Sequence, residues 1–117
     1  MKMKEYLYLF RGGDAQRLEA SSEEMQSHMG LWQGWMGELS ETGNLLGGQS
    51  LENGGKVVRK AGAVITDGPY AEGNEVVGGY LIVKAKPIDE ATDLSKGCPI
   101  FEHGGCVEIR ELVGMDQ

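Results

Sequence analysis

The sequence is short of several things at once, and each shortage excludes a class of protein. It has two cysteines, Cys98 and Cys106, in 117 residues. Two thiols do not make the disulfide framework of a small secreted scaffold. It has three prolines, and its 19 glycines follow no three-residue period, which excludes collagen. No apolar run approaches the roughly 18 residues of a membrane-spanning helix. The opening MKMKEYLYLF is followed by no small-residue cleavage site and does not read as a secretory signal. A cytoplasmic protein with no membrane partner is the expectation. Positive charge is also scarce: 11 Lys and Arg against 18 Asp and Glu leave a formal charge of −7. Such a chain repels a phosphate backbone, and its densest basic cluster, Lys56, Arg59 and Lys60, is small. Nucleic acid is therefore not an expected partner. GxGxxG, the P-loop, GxSxG and HExxH are all missing, so the familiar routes to dinucleotide, ATP, serine-hydrolase and zincin chemistry have no support, and no cofactor is expected.

What is present suits one domain over residues 1–117, with a core from about 4 to 112. In residues 4–10, KEYLYLF, Tyr6, Tyr8 and Phe10 fall on one face of a strand, and Leu7 and Leu9 on the other. Ser21 and Glu24 have capping-box spacing and open a helix that runs to Gly43-Asn44. Met25, Met29, Trp32, Met36 and Leu39 form its apolar stripe, with Gly30, Gly34 and Gly37 near the opposite side. Residues 45–55 read as a glycine-rich loop. Lys56–Thr66 reads as one strand, antiparallel to a second over Val76–Lys86. A short helix follows Pro87, capped by Asp89 and carrying Ile88, Ala91 and Leu94 on one side. CVEIREL, from Cys106, alternates as a last strand.

The order β-α-β-β-α-β matches the ferredoxin-like α+β arrangement: a four-stranded antiparallel sheet with two helices on one face. Helices on one face leave the other apolar and bare, which two sheets paired face to face would cover, so a homodimer is expected.

The string Asp67-Gly68-Pro69-Tyr70-Ala71-Glu72 precedes Val77-Gly78-Gly79-Tyr80, and Val107-Glu108-Ile109-Arg110 closes the chain's last strand. In these features, in this order and spacing, the chain resembles the YCII-related family in its DGPF-domain branch. It departs from that branch with Tyr70 in place of the usual phenylalanine and with Gly73-Asn74 where Ser or Thr and then Lys are common. The resemblance implies a dimeric α/β barrel, a form shared with monooxygenases, isomerases and haem enzymes. It also implies an Asp–His pair in a cleft. Some members are linked to sigma factors, so a non-catalytic regulatory module stands beside a small-molecule enzyme or binder as the alternative.

Asp67 is the candidate base, or else the residue that fixes its own turn by accepting backbone N–H bonds. His28, at the border of the apolar stripe, is its candidate partner, or else a core-edge histidine. Tyr80 and Arg110 could line a barrel interior or a dimer seam, and Arg110 could hold an anion. Trp32, Trp35 and Tyr70 could form an aromatic wall, or the tryptophans could be core. Cys98, His103 and Cys106, with His28, have soft-ligand chemistry, but their spacing matches no standard zinc module, so no metal is expected. Light scattering at micromolar concentration should give a mass of two 12.7 kDa chains, and a single-chain mass would contradict the face-to-face pairing.

Overall fold

The computed structural model describes residues 3–12, 21–52, 54–68 and 76–113. Strand β1 (Lys4–Arg11) buries Tyr6, Tyr8 and Phe10 and leaves Leu7, Leu9 and Arg11 half-buried on its other face. Helix α1 (Ser22–Glu41) begins where Ser21 Oγ accepts a hydrogen bond from the Glu24 N–H at 3.1 Å. It stops at Gly43, whose φ of +78° is left-handed. The buried Asn44 ties that end to the sheet. Its side-chain amide donates to the Lys84 carbonyl at 2.7 Å, and its own carbonyl accepts from the Lys84 N–H at 2.8 Å.

Strands β2 (Leu45–Ser50), β5 (Val77–Ala85) and β6 (Cys106–Glu111) complete a sheet of order β2-β5-β1-β6, antiparallel throughout. Helix α2 (Ile88–Ser95) and a 3₁₀ turn (Pro99–His103) lie between β5 and β6. Both helices pack on the Tyr6-Tyr8-Phe10 face, with Trp35, Leu39, Leu81, Val83 and Ala91 in the core. This is the ferredoxin-like α+β topology.

The middle of the chain differs from its sequence pattern. Residues 45–50, read as loop, are the edge strand beside β5. Bare backbone permits it: a Cβ on Gly48 would lie 2.4 Å from both the Tyr80 carbonyl oxygen and Leu81 Cδ2. The stretch from Lys56 is two strands rather than one, β3 (Lys56–Arg59) and β4 (Val64–Asp67), paired as a separate hairpin. The reversal turns on Lys60 and Ala61, at φ of +54° and +52°. Neither residue favours that conformation, so nothing local announces the turn. Two smaller corrections follow the packing. Met25 and Met29 are exposed, and the buried face of α1 centres on Trp35 and Leu39, with Trp32 and Met36 packed beside them. Helix α2 is entered from Pro87 with no side-chain cap, and Asp89 sits inside its first turn.

The other face of the sheet carries Leu7, Leu9, Tyr80 and Ile82, all half-buried. Leu7 stands opposite Ile82, and Leu9 opposite Tyr80. Along its β6 edge Arg11 and Arg110 both bind Glu108, at 3.0 and 3.3 Å.

Two glycine substitutions separate packing from propensity. A Cβ on Gly105 would lie 2.5 Å from Ile100 Cγ1 and 2.7 Å from the Arg11 carbonyl oxygen, whereas one on Gly34 meets nothing within 4 Å. Gly105→Ala should cost about 1–3 kcal/mol. Gly34→Ala should gain up to about 1 kcal/mol of helix propensity. Equal shifts in urea midpoint for the two variants would contradict this packing.

Candidate functional site

His28 and Trp32 lie one turn apart on α1, so their side chains share a face. The Trp32 indole N–H donates to His28 Nε2 at 2.8 Å. An indole nitrogen only donates, so His28 Nε2 carries no proton and neutral His28 holds its proton on Nδ1. That Nδ1 lies 3.8 Å from a carboxylate oxygen of Glu102. Trp32 is itself held edge-on against Phe10 at 5.0 Å and against Trp35 at 5.7 Å. The imidazole is thus positioned by the core through one aromatic side chain.

Glu102 and His103 come from the 3₁₀ turn, anchored by the buried Pro99 and Ile100 and ended by Gly104 at φ +75°. The turn brings the His103 ring to 4.0 Å from His28, centroid to centroid, at 63° between planes. His103 Nδ1 is buried with no hydrogen-bond partner among the described residues. An unsatisfied buried nitrogen costs about 1–3 kcal/mol. His28 Nε2 is committed to Trp32, and no such contact ties up His103 Nδ1 among the described residues.

Beside the pair, an open groove of about 520 Å³ runs between α1 and the segment from Lys96 to Glu102. Gly30 and Gly34 expose backbone in it, and Leu31, Phe101, Glu38 and Glu102 also line it.

The sequence candidates fall in different places. His28 and Trp32 meet on the helical side. Tyr80 and Arg110 lie on the open sheet face, Tyr80 opposite Gln49 and Leu9, and Arg110 opposite Leu7. Asp67 is at the end of β4, where its exposed carboxylate accepts from Lys56 Nζ at 2.6 Å. Within the chain the described contacts do not join Asp67 to His28. Tyr70 lies outside the described residues, as do Glu72 and Glu75. Cys98 is buried while Cys106 is exposed. Among the described residues no three His, Cys, Asp or Glu side chains are grouped to hold a metal.

His103 is the residue that sequence reasoning undervalued. It is 75 positions from His28, and no spacing rule links them; only the packing of the turn against α1 does. On the open sheet face, the hydrogen bond from Arg11, with Arg110 adding to it, holds the Glu108 carboxyl below its usual range.

The fold and this pair define a small α+β protein of ferredoxin-like topology with a paired-histidine site beside a helix-walled groove. The model of the YCII-related domain matches residues 6–116, and the chain belongs to that family. No curated protein matches it. Among the described residues no helix is long and apolar enough to cross a membrane.

The thiols provide a test of the packing around the turn. Burial pushes Cys98 up to about 12, partly offset by a backbone hydrogen bond at Ile100. Folded Cys98 therefore keeps a proton that an unfolded thiol, at 9.0, would release. Its contribution to stability is complete below pH 9 and is lost as pH rises towards 12. At pH 8, Ellman's reagent should titrate Cys106 in the native protein and Cys98 only after denaturant is added. Prompt reaction of both thiols would contradict the burial.

Proposed function

We propose that this protein is a homodimeric α/β barrel of the DGPF branch. In this reading it binds a small organic molecule in its cleft and transforms it by acid–base chemistry, with His28 and His103 as the proton-handling pair. The observation that carries the reading is the His28–His103 contact, with the orphaned His103 Nδ1 beside a histidine whose tautomer Trp32 fixes. A buried polar atom without a partner calls for a physical explanation, and a role in chemistry is one. His28 offers Nδ1–H as a donor, and His103 offers an uncommitted nitrogen as an acceptor. Acid–base catalysis on a neutral substrate needs a donor and an acceptor of this kind, set close together.

The dimer is supported by the half-buried apolar face of Leu7, Leu9, Tyr80 and Ile82. In such a pairing Tyr80 and Arg110 would stand at the seam and line the space between the sheets. The branch assignment rests on Asp67-Gly68-Pro69-Tyr70-Ala71-Glu72 and Gly78-Gly79-Tyr80. The second reading is a non-catalytic regulatory or interaction module linked to a sigma factor; its supporting observation is that Asp67 binds Lys56 across its own hairpin.

A thermal-shift screen with small metabolites tests the proposal. At least one compound class should raise the melting temperature of the wild type, and the shift should vanish in His28→Gln and His103→Gln. The two variants alone should melt within about 4–8 °C of wild type, the shift that roughly 1 kcal/mol produces in a domain of this size. A flat response across a broad panel, or shifts that both variants retain, would contradict it.

A further inference from the structure

We propose that the β3–β4 hairpin is an arm that docks in the α1 groove of a second copy of this chain. The arm is basic in an acidic protein. It carries Lys56, Arg59 and Lys60, three of the chain's 11 basic residues, against one acid, Asp67, which Lys56 binds at 2.6 Å, and so keeps a net positive charge. Val58 and Ile65 face each other across its two strands and are 58% and 55% exposed. A two-stranded hairpin is marginal in water without an apolar surface to lie on. Among the described residues the arm's principal packing is within itself, between β3, β4 and the turn at Lys60–Gly62.

The groove is complementary on both counts. Leu31 and Phe101, each 48% exposed, offer apolar cover for Val58 and Ile65. Gly30 and Gly34 leave the helix backbone bare, since a Cβ at either would meet nothing within 4 Å, so another backbone can approach closely. Helix α1 holds Glu23, Glu24, Glu38 and Glu41 and no Lys or Arg. Glu38 and Glu102 line the groove, and its one cation, Lys96, is already paired with Asp93 at 2.9 Å. Opposite charge on two exposed apolar surfaces steers and registers such a contact. Reciprocal exchange of two arms makes this contact self-complementary between two copies. Because Glu102 also stands 3.8 Å from His28 Nδ1, the docked arm would border the partner's histidine pair. The contact uses neither the open sheet face nor the acid–base chemistry, so it stands or falls separately from both.

Cross-linking of mixed proteins, each with one introduced exposed cysteine beside the buried Cys98, tests it. The full chain carries Cys106→Ser throughout. One preparation adds Val58→Cys, and the other adds Leu31→Cys with a longer tag. After mixing, subunit exchange and mild oxidation, the disulfide joining the two different chains should dominate over both like pairs on a non-reducing gel. Reversing the groove charges with Glu38→Lys and Glu102→Lys should cut its yield roughly tenfold. Every substituted position is exposed apart from the groove-lining backbone, so folding is retained, and unchanged circular dichroism verifies it. No mixed product, like pairs forming as readily as the mixed one, or a yield indifferent to the charge reversal would overturn the proposal.

Discussion

Tyr8 stacks on Trp35 with ring centroids 6.2 Å apart and planes 15° from parallel, and Phe10 meets Trp32 edge-on at 5.0 Å. These contacts between the central strand and α1 hold the rest of the structure in place. Aromatic pairs contribute about 0.5–1.5 kcal/mol each beyond the area they bury. Here they also carry polar ends that reach other elements. The Tyr8 hydroxyl donates to the Ala91 carbonyl, and the Trp35 indole donates to the Leu94 carbonyl at 3.0 Å, so one cluster fastens both helices to the sheet. Burial pushes the Tyr8 phenol well above its usual range, with Cys98 nearby adding to the shift. The third aromatic of the set, Trp32, spends its N–H on His28 instead. Core packing therefore sets the tautomer of the candidate site.

The one-sided helix layer has a second consequence. With both helices on the Tyr6-Tyr8-Phe10 face, Leu7, Leu9, Tyr80 and Ile82 are only half-covered, and the β3–β4 hairpin exposes Val58 and Ile65. A chain of this size gains stability from covering both surfaces. In the proposed assemblies a second sheet would cover the sheet face, and the acidic groove of another copy would cover the hairpin. Glu102 lines that groove and also approaches His28, so the proposed association would adjoin the site.

How much of this was legible in the sequence depends on the range of the signal. The aromatic alternation of β1, the Ser21 cap of α1 and the alternation of β6 are local patterns, and the structure has all three. The α+β class with an antiparallel four-stranded sheet followed from them, although its second strand is Leu45–Ser50 and not the stretch from Lys56; membership of the YCII-related family was legible in the DGPYAE, GGY and VEIR strings. The pairing of β2 was hidden because LLGGQS lacks strand-forming residues; Gly48 is there for close approach to β5 rather than for propensity. The hairpin was hidden because Lys60 and Ala61 are ordinary residues in a left-handed turn. At the site, His28 and Trp32 could be placed on one helical face by counting. The approach of His103 could not, since it depends on how Pro99 and Ile100 seat the turn in the core. Asp67 was singled out for its motif, and its contact with Lys56 is a property of the same hairpin that the pattern missed.

The most direct measurement is the tautomeric state of the two imidazoles by nitrogen-15 NMR near neutral pH, assigned with the single His→Gln variants. The structure predicts His28 with its proton on Nδ1 and a bare Nε2, and a Trp32 indole proton shifted by its hydrogen bond and restored to an ordinary position in His28→Gln. A protonated His28 Nε2, or a Trp32 indole proton indifferent to the loss of His28, would contradict it.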